Sequence, residues 1–310
     1  MHAATTRGVV DLTLVGGALG FNWLPVFVAD RLRILARHGV SVTLKRMGTV
    51  AKATAAIKAG EADLAITPPE GAIADAVSGG RLRIVAGNAN RLPMTLVAHP
   101  RIKQISDLKG CVLGTSSLTE GTAIYTMEML SQHGLKYPGD YEFAVVGVHP
   151  ERWQALQDGR IDAAVQPAPL NFVAIDAGYS NLGEVTDAIP EIAFTTVIGA
   201  GNWLEQNQAS VRRLLTALIE ATSTINDPAR DEDVVPILAE ISKSSEPHAR
   251  RALAYMRDMA LFPPRLEIPD SAFNTTVDLM IKAGLLESSA REKAGFTFDR
   301  RYLDDLVDTQ

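Results

Sequence analysis

Cysteine is nearly absent from this chain. Its 310 residues include one, Cys111, so no disulfide can close within it and no cysteine/histidine metal cluster can be built. The thiol falls in an apolar, strand-like stretch and reads as a small core residue; no metal site is expected. Basic runs are missing too. The net charge is −6 and the lysines and arginines are scattered, which excludes the electrostatic footprint of a nucleic-acid surface. No apolar run approaches the ~20 residues of a membrane helix. The N-terminus, "MHAATTRGVVDLTLVGG", lacks a basic segment followed by an apolar core and a cleavage site. The chain is therefore expected to be either cytoplasmic from Met1 or a mature periplasmic or membrane-tethered form whose leader was removed. There is no nucleophile elbow, no phosphate-cradling Gly-Lys-Ser/Thr loop and no HExxH helix. No catalytic residue is assigned and no cofactor is expected.

What is present is a globular composition and a repeat. Apolar residues make up 46% of the chain and charged residues 21%, enough for a core in each of two domains. "AAIKAGEADLAITPPEG" (55–71) can be laid on "QALQDGRIDAAVQPAPL" (154–170) at an offset of 99 residues. Gly60 matches Gly159, Asp63 matches Asp162 and Pro68 matches Pro167. Each copy reads strand, helix, strand, helix, strand, with glycines at the helix stops. In the first copy the helices are expected near Leu24–His38 and Val50–Ala59; in the second, near Gly121–His133 and Pro150–Asp158. The strands lack alternation, as expected where helices cover both sheet faces, and right-handed crossovers predict parallel sheets. Two apolar segments, "PMTLVAHP" (93–100) and "FTTVIGAG" (194–201), are placed as crossovers. They divide the chain into domain I (1–97 with 198–310) and an inserted domain II (98–197). After Gly201 the periodicity is almost wholly helical.

In such α/β domains a ligand sits beyond the carboxyl ends of the strands. That selects four loops: Gly16–Leu24, Thr67–Gly71, Gly114–Gly121 and Gln166–Asn171. "GTSSLTEGTA" precedes a helix whose first N–H groups suit an anion. Ser116, Ser117 and Thr119 add hydroxyls and Gly121 permits close backbone approach; Thr119 is equally an ordinary N-cap. Across from it, Asn22 and Trp23 of "LGFNWL" can bind and wall a ligand, or Trp23 can be plain core. Thr67 and Glu70 end the third strand of domain I, and Glu70 either meets a donor-bearing ligand or complements its helix dipole. Arg91 either grips a carboxylate or is a solvated loop residue. Gln166 or Asn171 completes the set. His38 and His133 read as helix C-terminal cations, and His99 and His149 as loop residues.

Several phrases resemble one known family. "FNWLPVFVADRLRILARHGVSVTL", "AIKAGEADLAIT", "MTLVAHPRIKQISDLKGCVLGTS", "ALQDGRIDAAVQPAP" and "FTFDRRYLDDL" are similar, in order and spacing, to the type II periplasmic substrate-binding proteins of ABC importers, in the nitrate/sulfonate/taurine and thiamine-precursor branch. The resemblance implies a two-lobed Venus-flytrap fold of two similar α/β domains, each with a mostly parallel sheet flanked by helices. It implies a small organic ligand clamped between the lobes, anionic in the sulfonate or carboxylate sense, with delivery by a monomer to ABC permease subunits and no catalysis. Relatives that bind pyrimidines, and cytosolic decarboxylases or pyrimidine synthases on the same fold, are the alternatives. The synthases carry a cysteine-rich stretch that is missing here.

Overall fold

Short apolar segments alternate with capped helices over the first two thirds of the chain, and they assemble into two sheets. The computed structural model describes residues 8–17, 20–118 and 121–307. The first part runs β1 (Val10–Gly16), a 3-10 turn (Phe21–Trp23), α1 (Leu24–Arg31), α2 (Ile34–Arg37), β2 (Val40–Arg46), α3 (Val50–Ala59), β3 (Leu64–Thr67), α4 (Glu70–Val77) and β4 (Leu82–Ala89). The second runs β5 (Met94–Ala98), β6 (Val112–Thr115), α5 (Thr122–Ser131), β7 (Glu142–Val145), α6 (His149–Gln157), β8 (Ala163–Pro167), α7 (Leu170–Asp176), β9 (Ser180–Glu184) and α8 (Val185–Ala188). Then follow β10 (Thr195–Ala200), α9 (Gly201–Gln206), α10 (Gln208–Asn226), α11 (Asp231–Ser242), α12 (Glu246–Asp258), α13 (Asp270–Lys282), α14 (Arg291–Gly295) and α15 (Arg301–Val307).

The strand orders are β2-β1-β3-β10-β4 and β7-β6-β8-β5-β9. The two sheets define two lobes of one topology. Neither sheet is wholly parallel, contrary to the expectation from right-handed crossovers: β10 runs antiparallel to β3 and β4, and β5 antiparallel to β8 and β9. The reason lies in the route of the chain. A strand arriving from the other lobe enters at the junction and runs away from it, against strands that end there. The sequence division at 97/98 and 197/198 falls inside these two strands, and pairing carries each whole strand into one sheet.

The repeated Gly-x-x-Asp phrase has the same task in each lobe. Gly60 and Gly159 end α3 and α6 in the left-handed conformation, φ 71° and 67°, where a side chain would be strained. Three residues on, Asp63 Oδ2 accepts the Thr13 N–H at 2.7 Å and Asp162 Oδ2 accepts the Val112 N–H at 2.8 Å. Each carboxylate thus fastens the loop before the third strand to the first strand of its own sheet.

The helix expected over Leu24–His38 is two helices. Arg33 takes a left-handed conformation, φ 62°, and the break turns Ile34 and Leu35 into the core beside Val40. The C-terminal helices cover the first lobe. Along α10, Val211, Leu214, Leu215, Leu218, Ala221 and Ile225 are buried at helical spacing, each large side chain worth about 1.5–3 kcal/mol of burial. One of these helices, α12, also reaches the second lobe. The Tyr255 hydroxyl donates to Glu184 at 2.6 Å, Arg251 and His248 meet the Asp176 carboxylate at 3.1 and 3.0 Å, and Arg251 lies 4.1 Å over the Phe172 ring.

Candidate functional site at the lobe junction

The loops leaving the carboxyl ends of β1, β3 and β6 meet where the lobes touch. After β1, Trp23 is fully buried with its ring edge against Gly16. A Cβ at residue 16 would lie 2.4 Å from Trp23 Cζ2 and 2.8 Å from the Ile66 carbonyl oxygen, so this glycine makes room for the indole. Trp23 Nε1 is buried without a hydrogen-bond partner. Asn22 is half-buried; its carbonyl accepts from Asn88 Nδ2 at 2.8 Å, and the same nitrogen donates to Thr195 Oγ1 at 2.9 Å. That leaves Asn88 Oδ1 buried and unpartnered.

Thr67 closes β3. Its carbonyl accepts from the Thr196 hydroxyl at 3.3 Å, while its own hydroxyl is buried without a partner. Glu70 is the buried first residue of α4, so the dipole role and a position at the junction coincide. Across from it, Tyr125 is buried in α5. Burial, and then the Glu70 charge, hold its phenol well above the ordinary tyrosine range, so the group is uncharged. Its hydroxyl has no partner. The ring meets Phe194 edge-on at 6.2 Å, and Phe194 stacks on Phe21 at 5.9 Å. This aromatic column ties α5 of the second lobe to the first.

In the second lobe, Ser116 and Ser117 are half-buried. The Thr115 hydroxyl bonds the Ser117 carbonyl at 2.9 Å and lies 3.0 Å from Thr122 Oγ1, which shapes the loop. Gly121 begins α5 at φ 51°, ψ −114°, with no side-chain cap and open space where a Cβ would stand. Among the described residues, no side chain caps the first N–H groups of this ten-residue helix, and such groups suit an acceptor. Thr119 lies outside the described residues.

Other expected residues stand elsewhere. Gln166 is buried in β8; with its amide oriented to satisfy both atoms, it donates to the His149 carbonyl at 3.3 Å and accepts the Trp153 N–H at 3.1 Å. Asn171 donates to Thr95 Oγ1 at 2.9 Å and accepts the Phe172 N–H at 2.8 Å. Both amides therefore brace the second lobe. Arg91 is half-buried between β4 and β5 and, among the described residues, forms no ion pair.

Sequence reasoning passed over Asn88, Tyr125, Phe194 and Arg152, and it read His149 as a loop residue, which the structure corrects. Asn88 had a signal: it is a polar residue inside the apolar run "LRIVAGNA". His149 is the first residue of α6 and lies 3.5 Å from where a Gly20 Cβ would stand. Burial, then Arg152 and Arg46, push its imidazole down to about 3, so it is neutral at physiological pH. Among the described residues, no group of three or more His, Cys, Asp or Glu could hold a metal ion.

Four polar atoms at this junction, Trp23 Nε1, Thr67 Oγ1, Asn88 Oδ1 and Tyr125 OH, are buried and unpartnered. Each such group costs about 1–3 kcal/mol when left unmade. Together they offer a donor, an acceptor and two hydroxyls that can act as either, beside an acidic side chain and three aromatic rings.

No curated protein matches this chain. Among solved structures, a protein of Bordetella bronchiseptica RB50 superimposes with a TM-score of 0.80 at 18% identity, over 96% of this chain and 97% of that one. The periplasmic nitrate-binding protein NrtA from Synechocystis PCC 6803 gives 0.79 at 13% identity, over 97% and 89%. The alkanesulfonate-binding protein SsuA from Xanthomonas axonopodis pv. citri, bound to MOPS, gives 0.74 at 16% identity, over 94% and 99%. These likenesses establish the two-lobed periplasmic-binding-protein fold. The family model described as NMT1/THI5 like matches residues 20–230, and the chain belongs to the NMT1/THI5-like family.

Proposed function

We propose that this protein is a solute receptor of the ABC-importer type, which closes two lobes around a small organic molecule and presents the closed form to permease subunits. The observation that carries the reading is the set of four unpartnered polar atoms buried where the lobes meet. A ligand with both donors and acceptors completes them and offsets their desolvation. The ligand carries an acidic head, taken by the N-terminus of α5 with Ser116, Ser117 and Gly121, and by Thr119 of the same loop. Its other end presents a donor to Glu70 and to Asn88 Oδ1, and its body lies against Phe21, Phe194 and Tyr125. Trp23 and Thr67 complete the floor on the side of Asn22. The names of the sulfonate- and nitrate-binding neighbours agree with an acidic head. The receptor works outside the cytoplasm, as a monomer, with the lobes divided near the two crossover strands.

Native mass spectrometry of the purified protein, paired with small-angle scattering before and after stripping, tests this. The expected result is a retained small molecule whose removal enlarges the radius of gyration. A chain that carries no ligand, keeps its dimensions in every candidate solute and turns one of them over is an enzyme, and the receptor reading is then wrong.

A further inference from the structure

The second lobe holds a buried cation that, among the described residues, forms no direct ion pair with any of the lobe's carboxylates. Arg152, on α6, is 3% exposed. Its Nε donates to the Val165 carbonyl at 3.2 Å and its Nη1 to the Gly147 carbonyl at 3.5 Å. Among the described residues no carboxylate forms an ion pair with it; the adjacent Glu151 is directed to Arg46 of the first lobe, at 4.0 Å. A buried guanidinium whose hydrogen bonds go to neutral carbonyls, and which only the charge of Glu151 offsets from a distance, is incompletely compensated, and folded chains retain few of these without a use.

Its position gives the use. The Val146 and Gly147 N–H groups both donate to the Thr115 carbonyl, at 2.9 and 3.4 Å, so the carbonyl that Arg152 grips adjoins the loop of Ser116 and Ser117. One turn earlier on the same helix, His149 lies 3.5 Å from where a Cβ on Gly20 of the first lobe would stand. Arg152 therefore stands behind the serine loop at the lobe junction. Among the described residues, those facing it are neutral His149, half-exposed Arg46 and one carboxylate, Glu151, a net positive set.

We infer that Arg152 is the counter-charge for an oxyanion group of the ligand, a sulfonate or carboxylate, bound against the Ser116–Ser117 loop, with Arg46 closing over it from the other lobe. The inference rests on the receptor reading and adds the residue that makes the site selective for a charged head over a neutral isostere. Hydroxyls and a helix end alone distinguish the two weakly; a desolvated guanidinium distinguishes them strongly.

The test uses methanesulfonate and its neutral analogue methanesulfonamide, titrated calorimetrically into ligand-stripped protein. The expected result is binding of methanesulfonate with methanesulfonamide at least about tenfold weaker, a loss of about 10- to 100-fold in Arg152→Gln, the scale of one charge-assisted hydrogen bond, and partial retention in Arg152→Lys. Circular dichroism checks that the variants fold. If Arg152→Gln does not fold, the wild-type ratio decides, with Arg46→Gln as the second variant, expected to weaken methanesulfonate about threefold. Equal binding of the two probes, no binding of either, or a folded Arg152→Gln of unchanged affinity overturns the inference. A neutral or cationic molecule retained in the native mass spectrum also overturns it, while leaving the receptor reading intact.

Discussion

The two lobes share a scaffold and differ in their loops. Each has a parallel trio of strands, a left-handed glycine closing the helix before the third of them, and an aspartate that clamps the first strand fifty residues away. The loops diverge. In the first lobe the turn after β1 is aromatic and buried, and the helix after β3 opens on Glu70. In the second, the turn after β6 is rich in hydroxyls, and the helix after β8 opens on apolar Leu170, with the next residue, Asn171, bracing Thr95. Duplication kept what holds each sheet together and released what faces the partner lobe. The two facing walls are therefore chemically unlike.

The largest expected effect separates two glycines in equivalent strands, Gly16 at the end of β1 and Gly114 one residue before the end of β6. Gly16→Ala forces a methyl against Trp23 and the Ile66 carbonyl, whereas Gly114→Ala meets the flexible tip of Ile161 at 2.4 Å. Gly16→Ala should lower unfolding free energy by about 3 kcal/mol and Gly114→Ala by about 1, read by urea denaturation. Equal losses would mean that Trp23 is not wedged as described.

Next come the clamps. Asp63→Asn and Asp162→Asn each weaken a charge-assisted bond to a strand N–H, worth about 1.5–3 kcal/mol. Their losses should agree within about 0.5 kcal/mol, since the sites are far apart and alike. A neutral outcome at one of them breaks the equivalence of the lobes.

A smaller contrast separates free from engaged hydroxyls. Thr115→Val removes a hydroxyl that bonds the Ser117 carbonyl and should cost about 1 kcal/mol in ligand-free protein. Thr67→Val removes an unpartnered one. It should leave the ligand-free protein unchanged or slightly more stable, while shortening retention of the co-purified molecule in native mass spectra. Destabilisation of the stripped Thr67→Val protein would show that the hydroxyl already has a structural role.

The smallest effect is alkaline. The Tyr125 phenol has a folded-state pKa above its unfolded value of about 10, through burial and then Glu70. Its contribution is complete below pH 10 and is lost as pH rises beyond it. Tyr125→Phe should therefore flatten the alkaline limb of a stability–pH curve; an unaltered limb would place the phenol in water.

Much of the scaffold was legible because its signals are local. Val50–Ala59 was bounded correctly because its glycine stop adjoins the helix, and the structure adds a Thr49 cap at the other end. Asp63 and Asp162 stood out because the phrase occurs twice. The helix over Leu24–His38 was misread because nothing nearby marks Arg33, which adopts its conformation so that Ile34 and Leu35 reach the core. The antiparallel runs of β5 and β10 were also illegible, since direction depends on the side from which a crossing strand enters.

The site divides the same way. Glu70 and the serine loop could be named as candidates from the sequence because strand ends in this topology are where loops converge, and strand ends are visible in hydropathy. Tyr125 and Arg152 were passed over, as was Phe194. A tyrosine in an apolar helix, an arginine in a polar helix and a phenylalanine before a strand are ordinary along a chain. Their meaning comes from what lies next to them: a carboxylate from the other lobe, a carbonyl in place of a counter-ion, a ring from a segment more than 170 residues away. The linear order of residues decided periodicity, capping and repetition, which depend on near neighbours. Burial without a partner is a property of several distant segments at once, and only folding could decide it.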